Sequence, residues 1–249
     1  MPDVITILIV CITLFLAGGI KGIVGLGLPT ISLALFAMMF DLVTAIVLIL
    51  FPSLITNIWQ AFSGSHGRLI LKNIYPFIIM SLLTIWLGAY TLSTIDIYLL
   101  SLLLGCLLII YAVINLRGIH FSIPAQHRGW SGTCLGLING ALTGMVGVYI
   151  IPSVMYFQAI DMQRDELLQA MGILFSLSSI SMLLAYRYQA LLNLQQVMLS
   201  LFAVIPTLMG MYIGQRIRQH IPETTFKKLL FITLLLLGLF IVIKTLLIS

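Results

Sequence analysis

The segment GGIKGIVGLGLP, residues 18–29, places Lys21 inside an apolar stretch among five glycines and just ahead of Pro29. A lysine at membrane depth costs about 2.5–3.5 kcal/mol on insertion scales, so it must face a cavity or a partner. No carboxylate lies near it in the sequence. An anionic ligand is one solution; snorkelling to a headgroup, or packing alone, is the other. A second glycine-rich stretch, GLINGALTGMVG at 136–147, offers Asn139 and Thr143 in a similar setting.

The chemistry expected of such stretches comes from broken backbone. Lipid cannot hydrogen-bond an interrupted helix, so a break survives only when packed in protein or facing a water-filled cavity. The helix restarting after the break presents N–H groups and a positive dipole end, which favour an anion. Glycine allows the turn and a close approach of the ligand, and proline is tolerated where the helix restarts. On this reading Lys21, Gly22, Gly25 and Gly27 form one half of a substrate site, and Asn139, Gly140, Thr143, Gly144 and Gly147 the other. A competing reading covers part of the set. Gly132, Gly136, Gly140 and Gly144 recur every fourth residue, as in a stripe for close helix packing.

Neutral polar residues extend the candidate set. Ser53, Asn57 and Gln60 share one helical face, as do Gln169, Gly172, Ser176 and Ser179. Of these, Asn57, Gln60, Gln169 and Ser176 are the candidate ligand contacts, because amides and hydroxyls donate to an oxyanion. The alternative is hydrogen bonding between helices. Trp59 reads as an interfacial anchor.

These residues need a framework, and the composition defines it. Of 249 residues, 61% are hydrophobic and 8% charged, against roughly 25% charged in soluble domains. The expected class is an all-α polytopic membrane protein, since alternating strands of a membrane barrel are missing from the pattern. The formal charge of +5 sits in short breaks between apolar stretches, so it reports topology and not nucleic acid. Cys11, Cys106 and Cys134 stand singly, and His66, His120, His127 and His220 fall in hydrophilic breaks. Neither a disulfide nor a metal site is expected, and no cofactor. The first segment begins Met-Pro-Asp with no basic flank and reads as a retained membrane segment.

The apolar stretches run over 4–40, 43–63, 73–92, 97–116, 130–160, 167–186, 194–215 and 229–248, giving about eight transmembrane segments. The first and fifth are too long for one helix of about 20 residues, and both carry glycines followed by a proline. They open two similar halves, 1–117 and 129–249, joined by a cytoplasmic linker at 118–128. GGIKG at 18–22 matches GLING at 136–140 in this reading, which pairs Lys21 with Asn139. Charge decides the orientation. If every stretch crosses once, the basic residues outside the membrane split 6 against 5. If the long stretches enter and leave on one side, the split is 9 against 2, with only Arg187 and Lys244 on the poor face. The positive-inside rule selects the second arrangement. The halves are then inverted repeats in the cell inner (plasma) membrane, with both termini extracytoplasmic, as in many secondary transporters.

No acidic residue lies inside an apolar stretch and no GxxxxGK[ST] occurs, so neither an intramembrane carboxylate relay nor ATP hydrolysis is expected. Nor do the HExxH, paired-aspartate or GxSxG signatures of an intramembrane enzyme occur. The transmembrane gradient remains as driving force.

At these residues the chain resembles the TauE/SafE family of anion permeases, the sulfite exporters. GGIKGIVGLGLP at 18–29 is similar to that family's first motif, TNIWQ at 56–60 to its second-helix signature, and 136–179 to its second half. The resemblance spans nearly the whole chain. It implies transport of sulfite, thiosulfate, sulfonates, sulfoacetate or a carbon-based anion, by export in some members and uptake in others. Two departures stand out: the first motif lacks the paired glycine of the usual G-x-G-G, and Val148-Tyr149 occupies a place where small residues are frequent. The expected partners are a small anionic substrate and the lipid bilayer, with a homodimer allowed and nucleic acid excluded. A structural or assembly subunit of a membrane complex is the rival function.

Overall fold

The computed structural model describes residues 3–119, 122–217 and 223–248. His120, His220 and Arg218 lie outside them. The described chain is helical, with no strand among the described residues. Among the described residues eleven α-helices follow in order: α1 (Val4–Val24), α2 (Leu28–Ala37), α3 (Leu42–Phe62), α4 (Gly67–Thr94), α5 (Ile97–Leu116), α6 (Arg128–Val146), α7 (Ser153–Ala159), α8 (Arg164–Tyr188), α9 (Leu194–Phe202), α10 (Val204–Ile217) and α11 (Glu223–Ile248).

Among the described residues, seven stretches are long and apolar enough to cross a membrane: α1, α3, α4, α5, α8, α9–α10 together, and Lys228–Leu247 of α11. About eight were expected. The fifth stretch instead forms the 19-residue α6 and the 7-residue α7. The glycines and Arg128 of α6 dilute its apolar character below that of the other seven. The surface is what a lipid solvent requires. Leu83, Leu87, Leu236 and Leu247 are exposed, while Ser53, Asn57, Ser81, Asn139 and Thr143 are buried.

The element order of α1–α5 recurs from α6 onward. The helix-capping glycines Gly25 and Gly147 are 122 residues apart, and so are the first residues of α3 and α8. The compact units of the chain nevertheless draw on both halves. Unit 1 holds residues 1–52, 96–118 and 192–249, and unit 2 holds 53–95 and 119–191.

In unit 1, α1 packs on α10 and α5 on α11. A Cβ at Gly18 or Gly22 would collide with the carbonyl oxygens of Thr207 or Met211, and one at Gly210 or Gly214 with those of Phe15 or Gly19. The two backbones therefore touch, which suits lipid, where close van der Waals packing drives helix association. Pro52 interrupts α3 and leaves the Leu48 carbonyl without its usual N–H. Ser200 Oγ, on α9, donates to that carbonyl at 2.9 Å and accepts from the Phe51 N–H at 3.3 Å. At one end of this unit Lys244 Nζ donates to Met38 O at 2.8 Å, and Gln196 Nε2 to Thr44 Oγ1 at 2.7 Å.

In unit 2, α4 packs on α6 by the same device. Cβ atoms at Gly140 and Gly144 would collide with the carbonyls of Ser81 and Ile85, and one at Gly88 with that of Ala141. Hydrogen bonds join the seam: Ser81 Oγ donates to Gly136 O at 3.0 Å, and Thr84 Oγ1 to Leu137 O at 2.9 Å. The chain then returns from α6 to the level where it began. Tyr156 OH donates to Arg128 O at 2.8 Å, Ile123 N–H to Ala159 O at 2.8 Å, and Arg128 pairs with Asp161 at 3.8 Å. Phe77 of α4 stacks on the Tyr156 ring at 5.0 Å, holding α7 against the pair.

Candidate functional site

Each glycine-rich stretch is a helix that ends on a glycine, a short turn or extended link, and a second, shorter helix. In unit 1, α1 stops at Gly25, whose φ of 86° is the left-handed conformation that only glycine adopts cheaply. Its N–H donates to Lys21 O at 2.7 Å. Gly27, at φ 100°, opens α2, and Pro29 sits in that helix's first turn. Lys21 occupies the last turn of α1 and is 3% exposed. A cation in the last turn of a helix is favoured by the negative end of the helix dipole, which partly offsets the cost of burial. Thr30, in the first turn of α2, is buried, and its hydroxyl has no hydrogen-bond partner among the described residues.

The second break, in unit 2, repeats this design. α6 stops at Gly147 with φ 70°, and the Gly147 N–H donates to Thr143 O at 2.9 Å. The Thr143 hydroxyl donates to Val148 O at 3.1 Å and pins the link that follows. Residues 148–151 are buried. Ser153 Oγ, at the start of α7, donates to Tyr149 O at 2.6 Å. The Tyr149 phenol oxygen accepts from Ser179 Oγ at 3.4 Å, and its ring lies 5.3 Å from that of Phe175.

The capping glycines fix the register of the two breaks, and it differs from that read in the sequence. Lys21 stands four residues before Gly25, and its counterpart four before Gly147 is Thr143, not Asn139. The better match is GGIKGIVG at 18–25 with GALTGMVG at 140–147. Only a left-handed cap demands glycine at one position, so it marks register more sharply than packing glycines, which tolerate a shift by one turn.

Of the expected site residues, Lys21, Gly22, Gly25 and Gly27 belong to unit 1, and Asn57, Gln60, Asn139, Gly140, Thr143, Gly144, Gly147, Gln169 and Ser176 to unit 2. Several have structural duties. Gly22, Gly140 and Gly144 serve backbone packing. Gln60 Nε2 donates to Leu168 O at 2.7 Å. Gln169 is fully engaged at the turn between α3 and α4. Its Nε2 donates to Ala61 O at 3.0 Å and Gly64 O at 2.9 Å, and its Oε1 accepts from the His66 N–H at 3.0 Å. Ser176 donates within its own helix to Gly172 O at 2.7 Å.

Asn57 and Asn139 are each 1% exposed. Asn139 Nδ2 donates to Ser81 Oγ at 3.3 Å, and its Oδ1 has no donor among the described residues. Ser53 and Ser178 are buried with hydroxyls that likewise lack a partner among the described residues. Sequence reasoning missed Thr30 and Ser178. The available signal was a hydroxyl placed in an otherwise apolar helix. Unit 2 thus holds a set of buried, uncharged hydrogen-bonding groups, and unit 1 holds a buried lysine beside a backbone break.

Helices of spanning length and polar groups turned inward together define a polytopic helical membrane protein. The family described as "Sulfite exporter TauE/SafE" matches residues 10–241. The chain belongs to that family of membrane sulfite exporters. No curated protein and no solved structure matches it.

Proposed function

We propose that this protein is a secondary transporter of small anions, sulfite or a sulfonate foremost, with Lys21 as the charged group of its substrate site. The observation that carries the reading is Lys21 itself, 3% exposed in the last turn of α1, one turn ahead of the break at Gly25–Gly27. A cation held there draws an anion to membrane depth, and the glycine backbone lets it come close.

The topology proposed is the inverted one, with both termini outside the cytoplasm and the protein in the inner membrane. Two contacts support it, one in each unit. Arg128 and Asp161 lie at one end of unit 2, and Lys244 and Met38 at one end of unit 1. With one crossing per long stretch, the members of each pair would lie on opposite faces. Export of a monovalent anion from a negative-inside cell then gains about 2.3 kcal/mol per 100 mV with no coupled ion.

The test is flux of sulfite from vesicles holding only this chain, driven by an imposed potential. Potential-dependent efflux of sulfite, absent from protein-free vesicles, is the expected result. A chain that folds and inserts but moves neither sulfite nor a sulfonate refutes the reading.

A further inference from the structure

A cleft of about 670 Å³ opens at one end of unit 1, where the α2–α3 connection, the first turns of α5 and the last turns of α11 meet. It carries both signs of charge: Asp41 and Asp96 line it, and so does Lys244. Asp41 accepts from the Thr44 N–H at 2.9 Å and the Thr44 hydroxyl at 2.5 Å, and Asp96 from the Tyr98 N–H at 3.0 Å. Lys244 Nζ donates one hydrogen bond to Met38 O at 2.8 Å. These bonds leave capacity unused, because an ammonium has three donors and a carboxylate about four acceptor sites. Among the described residues neither aspartate lies within 4.0 Å of the Lys244 ammonium, so neither forms an ion pair with it. Opposite charges thus share one cavity without pairing. Its walls are apolar at Phe40 and Ile241, and Met39 on its rim is 54% exposed.

We propose that this cleft binds the headgroup of a phospholipid that carries a primary ammonium beside its phosphate. The aspartates take the ammonium, Lys244 takes the phosphate, and the glycerol and first acyl carbons lie along the apolar wall. Charge complementarity selects this ligand. Two carboxylates repel a simple anion, so the cleft is not a second site for the transported substrate. Lys244 repels a simple cation. A quaternary ammonium offers the carboxylates no N–H, whereas a primary ammonium offers three. The cleft also lies at the ends of membrane-length helices, where headgroups are.

The test uses the full-length protein, purified and stripped of lipid. Phosphatidylethanolamine, phosphatidylcholine and phosphatidylglycerol with identical acyl chains are titrated in turn, and affinity is read by native mass spectrometry and by the shift in melting temperature. The ethanolamine lipid should bind roughly tenfold tighter than the other two, the scale of one hydrogen bond between charged groups. The Asp41→Asn/Asp96→Asn variant keeps both helix caps, since asparagine caps as well as aspartate. It should melt like the parent without lipid and lose the preference; should it not fold, Asp96→Asn alone is read in the same way. Glycerophosphoethanolamine, the headgroup without chains, should compete only in large excess. Equal binding of the three lipids, a preference that survives loss of the carboxylates, or full competition by the free headgroup at equal concentration each overturns the proposal.

Discussion

The phenol of Tyr156 donates a 2.8 Å hydrogen bond to the carbonyl of Arg128, 28 residues away and at the first residue of α6. The bond closes the second broken stretch into a loop that leaves where it entered. Arg128 and Asp161, 3.8 Å apart, lie at the same closure. In a chain otherwise free of cysteine, Arg128→Cys and Asp161→Cys should therefore be joined within one molecule by a short bifunctional thiol reagent that spans the length of the lost arginine side chain, seen as a mobility shift. A pair that resists short bifunctional reagents contradicts the closed loop.

The same closure, with its counterpart at Lys244 and Met38, underlies the proposed inverted topology. A reporter active only in the cytoplasm, fused after Ser249, should be silent, and one fused within the 118–128 linker should be active. Activity at the C-terminus would remove the inverted topology, and with it the 9-to-2 division of basic residues.

The glycine seams predict a contrast between neighbours on one helix. Gly140→Ala drives a methyl into the Ser81 carbonyl, while Gly129→Ala meets nothing within 4 Å. The first should destabilise by about 1–3 kcal/mol, as overpacking does. The second should be neutral or stabilising by up to ~1 kcal/mol, from helix propensity. Melting in detergent, tracked by intrinsic fluorescence, separates them. Equal behaviour would mean that the α4–α6 contact is looser than described.

Gln169 predicts a stability effect where the sequence suggested a ligand contact. Its amide makes three hydrogen bonds at the α3–α4 turn. Gln169→Leu leaves those backbone groups without partners, at about 1–3 kcal/mol for each one that stays buried. The expected result is a lower melting temperature with the apparent substrate affinity unchanged in the molecules that remain folded. A change in affinity without a change in melting would return Gln169 to the substrate path. Asn57 is the better candidate for that path. Asn57→Cys should react with a small impermeant thiol reagent, and a sulfonate, which does not consume the reagent, should protect it; an inert cysteine there would remove Asn57 from the path.

What the sequence discloses follows from which forces act locally. The polytopic class is plain in composition, because lipid imposes length and apolarity on each helix separately. The closed loops accord with the placement of Arg68, Arg128, Arg164 and their neighbours under the proposed topology, in which charge is sorted by membrane face. Helix partners are not readable. The stripe through Gly140 and Gly144 announces a close neighbour but does not name α4, and nothing near Gly18 names α10. Gln169 misleads for a related reason. An amide in an apolar helix looks the same whether it faces a substrate or the end of another helix, and only the positions of Ala61, Gly64 and His66 decide. The pairing of Lys21 with Asn139 failed by one helical turn. Glycines spaced for packing align in more than one register, and the capping pair Gly25 and Gly147 breaks the tie.

Lys21 carries the sharpest prediction. Its ammonium is buried, and it sits in the last turn of α1, where the helix dipole favours a cation. Two roles fit that placement. As a structural charge it would steady the α1 terminus, and its loss would cost stability. As a substrate charge it would hold an anion, and its loss would cost transport. Lys21→Met keeps the length and apolar stem and removes the charge. We expect it to insert and melt at least as well as the parent, because a costly group leaves the membrane interior. Sulfite flux in vesicles should fall to a few per cent of the parent's or less, as expected when a buried charge pair worth about 2 kcal/mol or more is lost. Lys21→Arg keeps the charge but spreads it over a planar group of different shape, so partial flux should remain. The combination of normal stability and lost flux identifies the substrate charge. A Lys21→Met protein that melts early yet transports at the parent rate would make the lysine a helix-end fixture and leave the anion site elsewhere.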